Sequence, residues 1–318
     1  MKNIPTNTQY KKLIAFLFYV FTAFFLFLYI RKLDFGALNE IHLQPWFVLF
    51  AFPFSVISRI FLPHIWIQLI RVYQPVSKGV SYIQLNYIYA KTWLGKYIPG
   101  NVAYIAGKIY FASSKGVNKK TLAVTSVLEV ILQILTALFL GVIFLYLTGN
   151  YANFSGYHNL FFLTSVIVGL VTISPPIFNR LLDMGYKLLK KERLEKKYYI
   201  SLKNVFKFFT LYMLVHSLSA FPIFFLIKAL GYDLSLVGSL YVTGAFIFAG
   251  AIGSLAVFVP SGLGVREAIL IVFLANVLPP EVALVLVVVL RIWSVALDVI
   301  YWLLSYTALY ISQSKLST

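Results

Sequence analysis

The chain has 318 residues, of which 60% are hydrophobic and 12% charged, with a mean hydropathy of +0.85. A soluble domain carries about 25% charged residues, so this composition excludes a water-soluble globular enzyme, a disordered chain and a fibrous protein, and it fits a polytopic membrane protein. The formal net charge of +17 falls mostly in short segments between apolar runs, where it faces anionic lipid and not nucleic acid; the lack of cysteine excludes disulfides, thiolate nucleophiles and cysteine metal sites.

A bilayer core takes about 20 mostly apolar residues per helix. The first such run, Leu13–Ile30, follows Lys11 and Lys12 but has no small-residue cleavage pattern, so it reads as a retained helix and not a signal peptide. Trp46–Ile70 follows, with Pro53, Arg59, Pro63 and His64 inside it. The stretch 82–111 is apolar but interrupted by Lys91, Lys96, Pro99, Gly100 and Lys108. Further spans are Thr121–Thr148, Leu160–Pro176, Phe208–Leu230 and Leu236–Val259. A short apolar stretch, 260–278, opens on Pro-Ser-Gly-Leu-Gly, and the last span is Val282–Ile311. The expectation is an all-α, polytopic transmembrane helix bundle in one membrane domain, 1–318. It has about seven full spans plus two broken or re-entrant hairpins, because irregular backbone survives at membrane depth only where protein or a polar cavity satisfies it.

Between Asn179 and Lys207 there are nine Lys and Arg against three acids, whereas Gly149–Asn159 has no charged side chain. The first segment is expected as a basic cytoplasmic loop, and residues 1–12 with Lys2, Lys11 and Lys12 as a cytoplasmic N-terminal segment. The two interrupted stretches also suggest an internal repeat. Pro99 precedes Glu129 by 30 residues and Pro260 precedes Arg291 by 31, each pair separated by a break, a hydrophilic turn and a long helix. Interrupted segments at matching positions of two halves point to a transport site.

An ionisable residue at the centre of a membrane helix costs about 2.5–3.5 kcal/mol on insertion scales, so Arg59, Glu129, Arg291 and Asp298 each need a reason. Arg291 and Asp298, seven residues apart, share one helix face. These groups either lock the bundle, with Glu129 paired to Arg59 or Arg291, or they line a polar pathway together with Glu267. In Pro260-Ser261-Gly262-Leu263-Gly264-Val265-Arg266-Glu267-Ala268, the proline ends one helix and a new one starts near Val265. Its free N–H groups and Arg266 suit a phosphate. The Gly-x-Gly-x-x-Ala spacing within it is no dinucleotide fingerprint, since no βαβ unit surrounds it. Gly95-Lys96-Tyr97-Ile98-Pro99-Gly100-Asn101 offers the same ingredients, or a basic interfacial hairpin with snorkelling lysines. Isolated His64 and His216 read as packed or hydrogen-bonded side chains, and no metal-ligand spacing, Ser/His/Asp arrangement, P-loop or ATPase motif is visible.

On GKYIPGNVAYIAGK at 95–108, PSGLGVREA at 260–268 and the Arg291 helix after them, the chain resembles the lysylphosphatidylglycerol synthase transmembrane-region family, a flippase-like membrane domain, over roughly 10–312. The family pattern maps onto Lys96, Pro99, Gly100, Pro260, Gly262, Gly264, Glu267 and Arg291. The resemblance implies movement of phospholipids, anionic or aminoacylated, between leaflets of the cell (inner) membrane, with a lipid-modifying enzyme as a further partner. Bifunctional members carry a soluble aminoacyl-transferase domain; the sequence ends at Thr318, just past the last helix, so aminoacyl transfer is not carried over and no catalytic residue, cofactor or metal is expected. The expected headgroup site is Lys96, Pro99, Gly100, Pro260, Gly262, Gly264 and Arg266. The expected polar path is Arg59, Glu129, Glu267, Arg291 and Asp298. The competing expectations are an intramembrane lipid-modifying enzyme with Glu129, Glu267 or Asp298 as base, and an accessory subunit of a lipid or envelope-glycolipid synthesis enzyme.

Overall fold

A computed structural model describes residues 42–74, 80–97, 103–148, 158–256 and 259–317. The expected span Leu13–Ile30, the N-terminal segment 1–12, and Pro99 and Gly100 lie outside the described residues. Those described form helices and connecting turns with no strand, as a chain this apolar must if it satisfies its backbone in lipid.

Helix α1 (Trp46–Tyr73) runs unbroken through Pro53 and Pro63. α2 (Tyr82–Trp93), capped by the Ser81 hydroxyl, passes into a 3-10 turn at Leu94–Tyr97, and α3 (Ala103–Ser113) returns beside it. A methyl group on Gly107 would meet Thr92, and one on Gly95 would meet the Tyr104 backbone, so the two helices form an antiparallel hairpin. α4 (Lys119–Leu147) starts at an Asn118 cap and crosses the whole molecule. After α5 (His158–Ile173) come α6 (Pro175–Lys190), α7 (Leu202–Ala220) and α8 (Pro222–Ala229). The last two form one apolar rod bent at Phe221, where Pro222 has no N–H to give. α9 (Leu236–Leu255) leads into a second 3-10 turn, Pro260–Gly262. α10 (Val265–Leu274) folds back, and α11 (Pro280–Ser317) closes the bundle.

Five of the described helical rods are long and apolar enough to cross a membrane: Trp46–Tyr73, Lys119–Leu147, Leu202–Ala229, Leu236–Leu255 and Pro280–Ser314. The expected span Leu160–Pro176 is a 16-residue helix, about 24 Å long, because Pro175 starts a new helix after Ser174. The expected basic loop is also different in detail. Most of its first half belongs to α6, whose Phe178, Leu182 and Tyr186 are buried while Arg180 and Lys187 face out. Arg180, Asp183, Lys187 and Lys190 interrupt the apolar residues and hide this amphipathic helix from a hydropathy reading. The following residues are pinned: the Asn179 side chain exchanges hydrogen bonds with the Ile200 backbone at 2.8 and 3.1 Å, and Asp183 accepts from the Leu194 N–H at 2.7 Å. Lys120 and Lys197 pair with Glu195 and hold its exposed carboxyl well below the usual carboxylate range.

The same order, helix, 3-10 turn, short helix, long helix, occurs twice, as α2–α3–α4 and α9–α10–α11. The two copies are interlocked. α4 packs on α9, with Gly141 against Phe248 and Gly244 against Phe144, and α11 packs on α2, with Asn86 against Tyr301 and Ser305. Both pairings are antiparallel, so α2 and α4 point one way and α9 and α11 the other. Units related in this way bring their two helix breaks together at mid-height, and the two 3-10 turns do pack on each other.

Candidate functional site: a charged cavity where two helix breaks meet

The centre of the arrangement is Asp298, on α11, whose side chain is 1% exposed. It receives Lys96 Nζ at 2.6 Å, Arg59 Nε at 3.1 Å and the Tyr97 hydroxyl at 2.6 Å. Arg59 is aimed by its own helix and by α11: its other nitrogens donate to the carbonyls of Ser55 at 3.2 Å and Ser294 at 3.4 Å. Lys96 and Tyr97 come from the first 3-10 turn, so Asp298 ties that turn to α1 and α11. A carboxylate this deep is tolerable only with its lone pairs filled in this way.

Two turns earlier on α11, Arg291 reaches the second break. Its Nη1 lies 3.5 Å from Glu267 Oε1 and 3.5 Å from both the carbonyl and the hydroxyl of Ser261. Glu267 also accepts the Gly264 N–H at 2.6 Å, closing the first turn of α10. The turn needs its glycines: Gly262 has φ +64°, and a Cβ there would stand 2.6 Å from the Gly253 carbonyl oxygen. The Gly262 N–H donates to Val259 at 3.1 Å. The Gly262 and Gly264 amides are therefore already engaged, and Arg266 presents its side chain to the cavity. Its guanidinium stacks 4.4 Å over the Phe246 ring.

A third cluster lies deeper in the first unit. Glu129 takes Lys108 Nζ at 2.5 Å, the Tyr89 hydroxyl at 2.6 Å and the Gln133 amide at 3.1 Å. The Lys108 ammonium sits 4.1 Å from the Tyr89 ring and 5.4 Å from those of Trp66 and Tyr104. The expected pairing of Glu129 with Arg59 or Arg291 is corrected here: Asp298 and Glu267 take those arginines, and the hairpin partner Lys108 lies nearest to Glu129.

These groups enclose a cavity of about 540 Å³. Its lining combines the charged or polar-turn residues Arg59, Lys96, Glu129, Gly262, Arg266 and Asp298 with apolar ones, among them Val130, Ile131, Ile134, Leu189 and Ile247. Glu267 and Arg291 line a small recess next to it, and Pro260 opens the second 3-10 turn. Sequence reasoning missed Lys108, Tyr97, Gln133 and His216 as site residues; His216 also lines the cavity, its Nε2 3.0 Å from the Gln133 carbonyl.

The sequence matches the family described as lysylphosphatidylglycerol synthase TM region over residues 13–301. No curated protein and no solved structure matches the chain.

Proposed function

The chain belongs to the lysylphosphatidylglycerol synthase TM-region family, a multi-pass membrane family tied to lipid metabolism, and from that premise we propose that it binds a phospholipid or lipid-linked headgroup in the central cavity and passes it between leaflets chemically unchanged. The observation that carries the reading is the meeting of the two helix breaks beside a cavity whose lining is part charged and part apolar. A headgroup crossing hydrocarbon loses its water, at a cost of several kcal/mol for an unpaired charge. Fixed cations beside an apolar wall replace that water and accommodate a tail. A volume of this size is within the range of small-ligand sites, about 300–1,000 Å³. A lipid-modifying enzyme would need Glu129, Glu267 or Asp298 as a base, and each is committed to a cation. The basic end of the bundle is read as cytoplasmic, in the cell (inner) membrane.

Gly250 supplies the test. It lines the cavity, and a Cβ built on it meets nothing within 4 Å. Gly250→Leu therefore fills the cavity without disturbing a packed seam, and it removes a helical glycine that costs about 1 kcal/mol relative to alanine. In proteoliposomes with fluorescent phosphatidylglycerol in one leaflet, the wild type should abolish the asymmetry and Gly250→Leu should not, while the variant's melting temperature in detergent stays at or above that of the wild type. Equal lipid movement in both proteins, or none in either, would remove the cavity from the mechanism.

A further inference from the structure

The reading above leaves the headgroup open between an anionic one and an aminoacylated one that carries its own ammonium. We infer that the cavity takes an anionic phosphate headgroup without a compensating ammonium; this deepens, and rests on, the lipid-binding reading of the same cavity.

Three observations carry it. The first is the charge balance. Arg59, Lys96 and Arg266 line the cavity, and Lys108 stands directly behind Glu129, which gives four cations against the two carboxylates Asp298 and Glu129, an excess of two positive charges. The nearby Arg291 and Glu267 cancel one another. In a partly enclosed recess such an excess attracts an anion more strongly than at a fully exposed surface.

The second is that no carboxylate at the cavity is open to a ligand ammonium. Asp298 holds Arg59, Lys96 and Tyr97; Glu129 holds Lys108, Tyr89 and Gln133; Glu267 holds Arg291 and the Gly264 N–H. Aromatic faces commonly receive cations, and three of the four Trp, Tyr and Phe rings that line the cavity, Trp93, Tyr104 and Phe246, already carry the protein's own, whereas Trp293 carries none among the described residues. Lys96 covers Trp93 and Tyr97, Lys108 covers Tyr89, Trp66 and Tyr104, and Arg266 covers Phe246. A lysyl or alanyl ammonium entering here would displace one of them or have only the Trp293 face, among like charges.

The third is Arg266 itself. Among the described residues it makes no hydrogen bond or ion pair, although Glu267 adjoins it in sequence and turns away to Arg291 and Gly264. Its guanidinium carbon lies 4.4 Å from the Phe246 ring centroid, and its N–H groups, which can take two oxygens of a phosphate at once, have no partner among the described residues. The Gly262 and Gly264 amides are engaged, so the Arg266 side chain is the contact assigned to the phosphate.

Trp93 and Trp293 line the cavity, so equilibrium binding can be followed by their fluorescence in detergent, independently of any transport. The ligands are short-chain phosphatidylglycerol, its lysyl ester, phosphatidylcholine of the same chain length, and glycerol phosphate. Phosphatidylglycerol should bind at least tenfold more tightly than the lysyl ester or the choline lipid. Arg266→Gln should reduce that affinity at least tenfold, and Arg266→Lys, which keeps the charge but loses the two-pronged contact, should fall between Arg266→Gln and the wild type and show that the site still folds. Lysyl ester binding as tight as phosphatidylglycerol, or binding indifferent to Arg266→Gln in a protein that melts normally, would overturn the inference. Glycerol phosphate binding as tightly as the lipid would overturn it as well, by assigning the site to free phosphate esters. Selective binding with no movement in proteoliposomes would uphold this inference and sink translocation; movement of both lipids at equal rates with no selective binding would do the reverse.

Discussion

Lys108 and Glu129 are 0% and 1% exposed and 2.5 Å apart. A pair buried this completely contributes little compared with an apolar replacement, but losing one member strands the other, typically at about 3–5 kcal/mol. Lys108→Ala should therefore lower unfolding stability in detergent by about that amount, and Lys108→Ala combined with Glu129→Leu should regain most of the loss. Denaturant titration of the two singles and the double checks this, and strictly additive losses would mean the pair is not coupled. That Glu129, Arg59, Asp298 and Arg291 need partners inside the bundle was legible from the sequence, because a charge inside an apolar run carries a known cost. Their partners were not, since Arg59 and Asp298 meet across 239 positions. Lys108 was obscured because a lysine in an interrupted stretch also reads as snorkelling, and Tyr97 and Gln133 carry no charge to draw notice.

Two glycines on α9 separate packing from space. A Cβ on Gly244 would come within 2.7 Å of Phe144 and 3.1 Å of the Leu145 backbone, whereas one on Gly250 is clear of everything within 4 Å. Small residues let membrane helices approach closely, and overfilling such a contact costs about 1–3 kcal/mol. Gly244→Ala should thus lower the melting temperature in detergent, and Gly250→Ala should not; parallel melts of the two variants decide it, and an unchanged Gly244→Ala would mean the α4–α9 seam is looser than described. At this scale the second helix break was readable because Pro260 is followed closely by Gly262 and Gly264, whereas Pro53 and Pro63, with no glycine beside them, are carried inside α1. α6 was not, because its apolar face is only Phe178, Leu182 and Tyr186 among basic residues. The brevity of α5 was not either, since the run continues apolar past the Ser174–Pro175 break.

For the molecule as a whole, the basic segments gather at one end. Gln74 bonds the 116–118 turn, and Lys120 reaches Glu195. The opposite end joins Gln44 to Ala229 and carries the turn before α9. Because the chain has no cysteine, single replacements report sidedness cleanly. Lys190→Cys should react with an impermeant maleimide only after the cytoplasmic face is opened, and Ser235→Cys in intact spheroplasts. The reverse pattern would invert the orientation. The inverted pairing of units was suggested in sequence by the matching 30- and 31-residue spacings, but its direction depended on which helices pack together, which no spacing encodes.

α11 bears Asp298, which holds the turn of the first unit, and Arg291, which holds the turn of the second. Seven residues along a helix is about 10 Å, so the two grips sit on one stiff rod and pull on opposite halves. A shift of that rod along its axis changes both holds at once. The two turns are in this sense geared: Lys96 on Asp298 and Ser261 on Arg291 are two holds on a single rod.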